Sequence, residues 1–184
     1  MIHPERIQEL NAKDIARGRY VLYWMQQSQR AEYNHALEYA IERANEIDQP
    51  LVVAFGLMDD YPEANLRHCA FMLEGLRETQ SALEKRDVQM VVVHGHPADV
   101  ALSLGKDASA IVCDRGYLKH QKEWRYRVAD EARCQVVQIE SDVIVPVEAV
   151  SNKAEYAART IRPKIHRRLN DFLVEIKLRQ LSAA

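Results

Sequence analysis

Two spacings of apolar residues alternate along this chain. Arg19 to Trp24 (RYVLYW) is a β-branched and aromatic run behind Gly18, the composition of a strand. From Arg30 to Ile47, the apolar residues Tyr33, Leu37, Ala40, Ile41 and Ala44 recur every three or four positions, while Glu32, Glu38, Glu42 and Arg43 fall off that stripe. This predicts an amphipathic helix whose exit is closed by Pro50. The pattern then repeats. Leu51 to Leu57 reads as a second strand, and Leu66, Cys69, Leu73, Leu76 and Leu83 mark one face of a longer second helix. Val88 to His94 is a third strand, and Pro97, which needs no amide donor in a first helical turn, opens a short third helix through Leu104. Ala110 to Cys113, Leu118 to Arg133 and Val136 to Ile139 complete the series as strand, helix and strand.

Runs such as LVVAF and MVVV are apolar at nearly every position, as expected of strands buried on both faces of a parallel sheet covered by crossover helices. The expected fold is therefore α/β, three-layered and doubly wound, with five parallel strands. In such a sheet ligands settle beyond the carboxyl ends of the strands, where the strand order reverses. That directs attention to the exits at Met25 to Arg30, Met58 to Pro62, Gly95 to Pro97 and Asp114 to Tyr117. The residues before Arg19 are polar with weak helical periodicity and read as an amino-terminal arm. Asp142 to Val150 is irregular and holds Pro146, and Ser151 to Ala184 is expected to be helical and highly charged. The natural division is residues 1–150 as the α/β unit and 151–184 as a helical tail.

With 25 Lys plus Arg against 27 Asp plus Glu, the chain of 184 residues has a formal charge of -2, so no global field draws it to nucleic acid or an anionic membrane. Cys69, Cys113 and Cys134 are an odd set inside apolar segments, which suits reduced thiols in a cytoplasm. The apolar runs are far shorter than the roughly 20 residues that span a bilayer.

Neither the dinucleotide glycine triplet nor a phosphate loop ending in Lys-Ser/Thr occurs, which argues against a dehydrogenase or a P-loop enzyme. The first strand instead exits into MQQSQRAEYN, whose amides and single Arg suit either hydrogen bonding to a planar heterocycle or helix capping. Asp114 and Arg115 leave the fourth strand, and Gly116 allows a tight turn toward Tyr117. Asp114 can orient a ligand or cap the next helix. Candidate cofactor contacts are Met25, Gln26, Gln29, Arg30, Asn34, Asp114, Arg115, Gly116 and Tyr117. Arg30 and Asn34, one helical turn apart, are expected to face the same way, with Arg30 orienting a ligand carbonyl or pairing with Asp114. His94 and His96 share a strand face but lack a ligand set, so no metal site is expected. Arg159, Arg162, Lys164, Arg167 and Arg168 form a basic stripe that suits either phosphates or, more commonly, a solvated face or a neighbouring domain.

Taken together and in order, YVLYWMQQSQRAEYNHALEYA, PLVVAFGL, PEANLRHCAFMLEGL, IVCDRGYLKHQKEWR and VPVEAVSNKAEYAARTIRPKIH resemble the amino-terminal domain of class II cyclobutane-pyrimidine-dimer DNA photolyases, from about Arg19 to Leu169. The resemblance implies a Rossmann-like domain housing an antenna chromophore of the 8-hydroxy-5-deazaflavin, folate or flavin type. That pigment passes excitation to a catalytic FAD in a separate helical domain, which also holds the DNA. Nothing in the sequence matches that domain, so the chain alone is expected not to repair DNA. Its tail would lead to the FAD-binding partner or serve as a homo-oligomer contact. A stand-alone nucleotide-binding sensor or adaptor, and a ligand-free module that docks a partner chain, are the other readings.

Overall fold

The computed structural model describes residues 2–183. Its strands are β1 (Ile7–Glu9), β2 (Tyr20–Trp24), β3 (Leu51–Leu57), β4 (Gln89–His94), β5 (Ala108–Asp114) and β6 (Gln135–Ile139). The helices are α1 (His35–Glu46), α2 (Leu66–Glu84), α3 (Pro97–Gly105), α4 (Lys119–Glu131), α5 (Val147–Val150) and α6 (Ala158–Phe172). The sheet order is β1-β6-β5-β2-β3-β4. Strands β2 to β6 pair in parallel, as expected. The arm, however, contributes a sixth strand, antiparallel to β6 with Ile7 opposite Ile139. Only three residues long and polar at two of them, β1 has too little alternation to be read from sequence. It is held by its backbone ladder and by the buried Arg6, whose guanidinium donates to the carbonyls of Glu140, Val143 and Ile144 at 2.8, 2.9 and 2.5 Å.

Alternate residues of each central strand feed two cores. Val21, Tyr23, Val53, Phe55 and Val112 pack with Leu37, Ile41, Leu76 and Leu83 of α1 and α2. Leu22, Trp24, Ala54, Ile111 and Cys113 pack with Ala98, Ala101, Trp124 and Val128 of α3 and α4. From β2 the chain winds outward through β3 and β4, then returns to β5 on β2's other flank. The exits of β2 and β5 therefore lie side by side, with Trp24 opposite Cys113 in register.

Three expectations are corrected. First, the MVVV strand is not buried on both faces. It forms the sheet edge, and Val92 and Val93 are 39% and 37% exposed. Only Leu76 and Leu83 of the expected α2 stripe are buried, whereas Leu66 and Leu73 are exposed. Second, α1 begins at His35 rather than Arg30. Tyr33 takes a left-handed φ of 49°, and Asn34, extended, caps the helix by accepting the Leu37 N–H at 3.0 Å.

Third, the tail is helical over α6 but not beyond Phe172. Residues 173–183 run along α1 without regular structure, and side chains bind their backbone. Glu38 accepts from Arg179 N–H at 2.8 Å, while Asn45 donates to the Gln180 carbonyl and accepts from Ser182 N–H at 2.9 and 2.8 Å. Leu181 packs against the core. On α6, Lys164 pairs with Glu155 and Arg168 with Glu5 and Asp171. No helix among the described residues is long and apolar enough to cross a membrane.

Candidate functional site

The ten residues between β2 and α1 form a loop tied from below by one buried carboxylate. Asp114, the last residue of β5, accepts the backbone N–H groups of Gln26, Gln27 and Ser28 on Oδ2 at 3.1, 2.8 and 2.9 Å. Its Oδ1 accepts the Tyr23 hydroxyl at 2.7 Å. Burial pushes the Asp114 carboxyl upward, against the pull of the Tyr23 and backbone hydrogen bonds. The same burial, with Asp114 alongside, raises the Tyr23 phenol well above its usual range. All four bonds of Asp114 point into the protein.

Asn34, fully buried, donates to the Tyr23 hydroxyl and to the carbonyls of Ser28 and Arg30 at 3.0, 2.9 and 3.0 Å. It lies before the helix, so Arg30 and Asn34 are not helical neighbours sharing a face. Arg30 does not pair with Asp114 either. It meets Asp142 at 2.9 Å, and Asp142 also accepts the Ser28 hydroxyl at 2.8 Å. Sequence spacing assumed a helix through this segment, and the left-handed turn at Tyr33 breaks it.

The exit of β5 is equally committed. Arg115 bridges Glu140 at 3.0 Å and Glu148 at 2.6 Å, and the Tyr117 hydroxyl donates to Glu140 at 2.5 Å. Burial, reinforced by Glu140, raises the Tyr117 phenol. Glu140 is itself buried and also accepts the Val147 N–H at 3.0 Å. Met25 is wholly buried in the α1 core. Cys113, equally buried, has its thiol pushed up to about 12 by desolvation, the opposite of an activated nucleophile.

Beside this scaffold a cavity of about 500 Å³ opens at the carboxyl ends of β2 and β3, between α2 and α4. Gln26, Gln27 and Gln29 line one wall. Phe55, Met58, Met72 and Trp124 give it apolar flanks, and Tyr61, Glu63, His68, Cys69 and Gln121 also line it, as does Gly56. A Cβ on Gly56 would lie 2.7 Å from Pro97 Cα, so only glycine lets β3 leave the sheet this close to α3. A dent of about 10 Å³ beneath the wall is shared by Trp24, Asp114, Gly116 and Gln121.

Of the nine candidate contacts, the structure thus places Gln26 and Gln29 on the large cavity, and Asp114, Gly116 and again Gln26 on the dent. Met25, Arg30, Asn34, Arg115 and Tyr117 line neither. The α2 and α4 contributions, Met72, His68, Gln121 and Trp124, were not singled out from sequence. Part of the signal was there, since Met58 to Pro62 is one of the four strand exits. His94 meets Asp59 at 2.8 Å, and His96 sits edge-on to Trp124 at 5.4 Å.

No Lys or Arg lines the large cavity. Its polar groups are amides, one imidazole, the Tyr61 hydroxyl and Glu63, and its remaining walls are apolar or aromatic. Such a site suits a flat, uncharged ring system held by stacking and a few hydrogen bonds.

Known proteins match this chain over almost its whole length. A family model described as DNA photolyase matches residues 21–181. The deoxyribodipyrimidine photo-lyase of Methanothermobacter thermautotrophicus is 52% identical over 182 residues, covering 98% of this chain and 41% of the relative. A bacterial class III photolyase from Agrobacterium tumefaciens superimposes with a TM-score of 0.69 at 17% identity, covering 92% of this chain and 36% of that one. An archaeal photolyase from Sulfolobus tokodaii, solved with two FAD molecules and with the implication of a novel light-harvesting cofactor, does so at 0.65 and 16% identity, covering 86% and 35%. The structural likenesses concern the fold. The chain spans about two fifths of the length of the Methanothermobacter enzyme.

Proposed function

The chain belongs to the DNA photolyase family, and from that premise we propose that it is the amino-terminal antenna domain of a class II enzyme that repairs cyclobutane pyrimidine dimers. The observation that carries the antenna role is the cavity of about 500 Å³ at the β2 and β3 exits, apolar on its flanks and amide-rich on one wall. The ligand is a planar chromophore of deazaflavin, flavin or folate type, seated against Trp124, Phe55 and the two methionines. Gln26 and Gln29 contact it directly. Met25, Arg30, Asn34, Asp114, Arg115, Gly116 and Tyr117 hold the β2 and β5 exits in place around it. The lining without Lys or Arg favours an uncharged ring over a nucleoside phosphate, which separates this reading from an ATP-binding sensor.

Dimer cleavage belongs to a flavin-holding helical domain outside residues 1–184, reached through residues 151–184. DNA contact lies there too, and the class assignment rests on the five ordered segments from YVLYW to the EYAARTIRPKIH tail. Three free cysteines suit a reducing cytoplasm.

Calorimetric titration of the purified chain with riboflavin, a deazaflavin, a folate and ATP tests the antenna role. At least one of the planar chromophores should bind at one per chain with a shifted visible or near-ultraviolet band, and ATP should not. Tighter binding of ATP than of any ring, or no binding of the three rings, would refute it. Separately, light-driven dimer splitting by this chain with only reduced flavin added would overturn the assignment of catalysis to another domain.

A further inference from the structure

Three glutamine side chains on the cavity have their orientations fixed by unambiguous donors. The Gln26 amide oxygen accepts the Trp24 indole N–H at 3.0 Å and the Gly56 backbone N–H at 3.2 Å, and neither donor can bond a nitrogen donor instead. The Gln121 oxygen accepts the Leu118 backbone N–H at 3.1 Å. That places the Gln121 amino group against Gln27 at 2.8 Å, so the Gln27 atom facing it is the oxygen. All three carbonyls are thus engaged inside the protein.

On these three side chains what remains unpaired among the described residues is N–H, while the Gln29 amide and the Glu63 carboxylate lie elsewhere on the lining. Gln26 spends one amino hydrogen on the Gly56 carbonyl at 3.1 Å and Gln121 spends one on Gln27, leaving one on each, while both remain on Gln27. His68 follows the same rule. Its Nδ1 accepts the Asn65 N–H at 3.3 Å, so the proton of the neutral ring sits on Nε2.

Gly116 maintains this arrangement, because a Cβ there would lie 2.4 Å from the Gln121 oxygen and push the amide off its cap. The Gln27–Gln121 bridge also forms the partition between the large cavity and the dent beneath it.

We infer that the part of the wall formed by Gln26, Gln27 and Gln121 reads hydrogen-bond acceptors, and that Gln27 and Gln121 are the specificity-determining residues of the site. The inference rests on the antenna reading and narrows it. The ligand turns toward the wall an edge bearing adjacent acceptors, such as a ring carbonyl beside an unprotonated ring nitrogen. A ring of equal size with amino groups on that edge meets donor against donor and is rejected.

The test compares riboflavin with proflavine, a three-ring dye edged by amino groups, on the wild type and on Gln27→Leu, Gln121→Leu and Gly116→Ala, with far-ultraviolet circular dichroism to confirm folding. Riboflavin should bind at least about tenfold tighter than proflavine. Each leucine variant should weaken riboflavin by about three- to tenfold, the net worth of a hydrogen bond, and should not weaken proflavine, whose clash with the lost donor it relieves. Gly116→Ala keeps every donor but displaces Gln121, so it should shift riboflavin in the same direction by less. Equal affinity for the two dyes, or riboflavin binding indifferent to all three substitutions, overturns the donor wall and leaves the cavity reading standing. Failure of both dyes to bind the wild type overturns the two together.

Discussion

Replacing Asp114 with alanine tests whether one carboxylate holds the floor of the site. Three backbone N–H groups and the Tyr23 hydroxyl lose their acceptor at once. Leaving a buried donor unsatisfied costs about 1–3 kcal/mol. Gln26 and Gln27 lie on the cavity, where water recovers part of the loss, whereas Ser28 and Tyr23 are fully buried. The expected cost is about 3–5 kcal/mol, or a melting temperature lower by roughly 10 °C for a chain of this size. Asp114→Asn keeps one oxygen for the backbone and can donate to Tyr23, so it should cost only about 1–2 kcal/mol. Burial raises the folded-state pKa of Asp114. Its proton-linked contribution is therefore complete below the unfolded carboxylate range and is lost as pH rises through the folded pKa. The gap between wild type and Asp114→Asn should accordingly narrow with rising pH. Urea unfolding at several pH values, with slopes m compared, measures all of this. An alanine variant within 1 kcal/mol of wild type, or an asparagine variant worse than alanine, would refute the reasoning.

Other consequences follow from groups away from the wall. Ending the chain at Phe172 strips the Arg179 N–H from the fully buried Glu38 and uncovers the Leu181 contact. It should lower stability by about 2–3 kcal/mol in urea, and no change would show that the segment along α1 is not part of the folded core. His35 is held down to about 4 by burial and by the charges of Arg6 and Arg30. Its contribution is complete above the unfolded value near 6.5 and is lost as pH falls toward 4, by roughly 2–3 kcal/mol. His35→Gln should flatten that part of the stability profile, and parallel profiles would contradict the assignment. Cys69 lines the cavity while Cys113 and Cys134 are buried. A thiol reagent should therefore modify one cysteine in the native chain, and bound riboflavin should slow it several-fold; equal rates with and without riboflavin would place the ring elsewhere.

The parallel core was legible in the sequence because its strands are apolar on consecutive positions and its helices carry their apolar residues three and four apart. The run Leu51 to Leu57 became β3 with unchanged bounds, and Pro97 opened α3. What escaped notice is held by backbone bonding rather than by apolar pattern. Strand β1 is a three-residue edge, and residues 173–183 are positioned by Glu38 and Asn45 reading their main chain. Neither leaves a periodic trace. The start of α1 was misplaced because residues 30–33 carry helical spacing, while the left-handed Tyr33 and the bonds of Asn34 decide the conformation.

The candidate site shows the same division at finer scale. Polar residues at strand exits are conspicuous in sequence, but their partners are not, and partners decide whether such a group faces a ligand or a loop. Asp114, Asn34 and Arg115 bond inward, and that commitment keeps the wall from relaxing when a ligand arrives. A ring then meets amides already oriented, and little ordering remains to be done on binding. Stability and affinity should consequently respond to different substitutions. Changes at Asp114 act on unfolding first and reach the ligand only through the loop, whereas Gln27→Leu and Gln121→Leu remove donors at the surface of the wall and act on affinity first. A variant set in which loss of affinity simply tracked loss of stability would mean that the wall is shaped by the ligand rather than waiting for it.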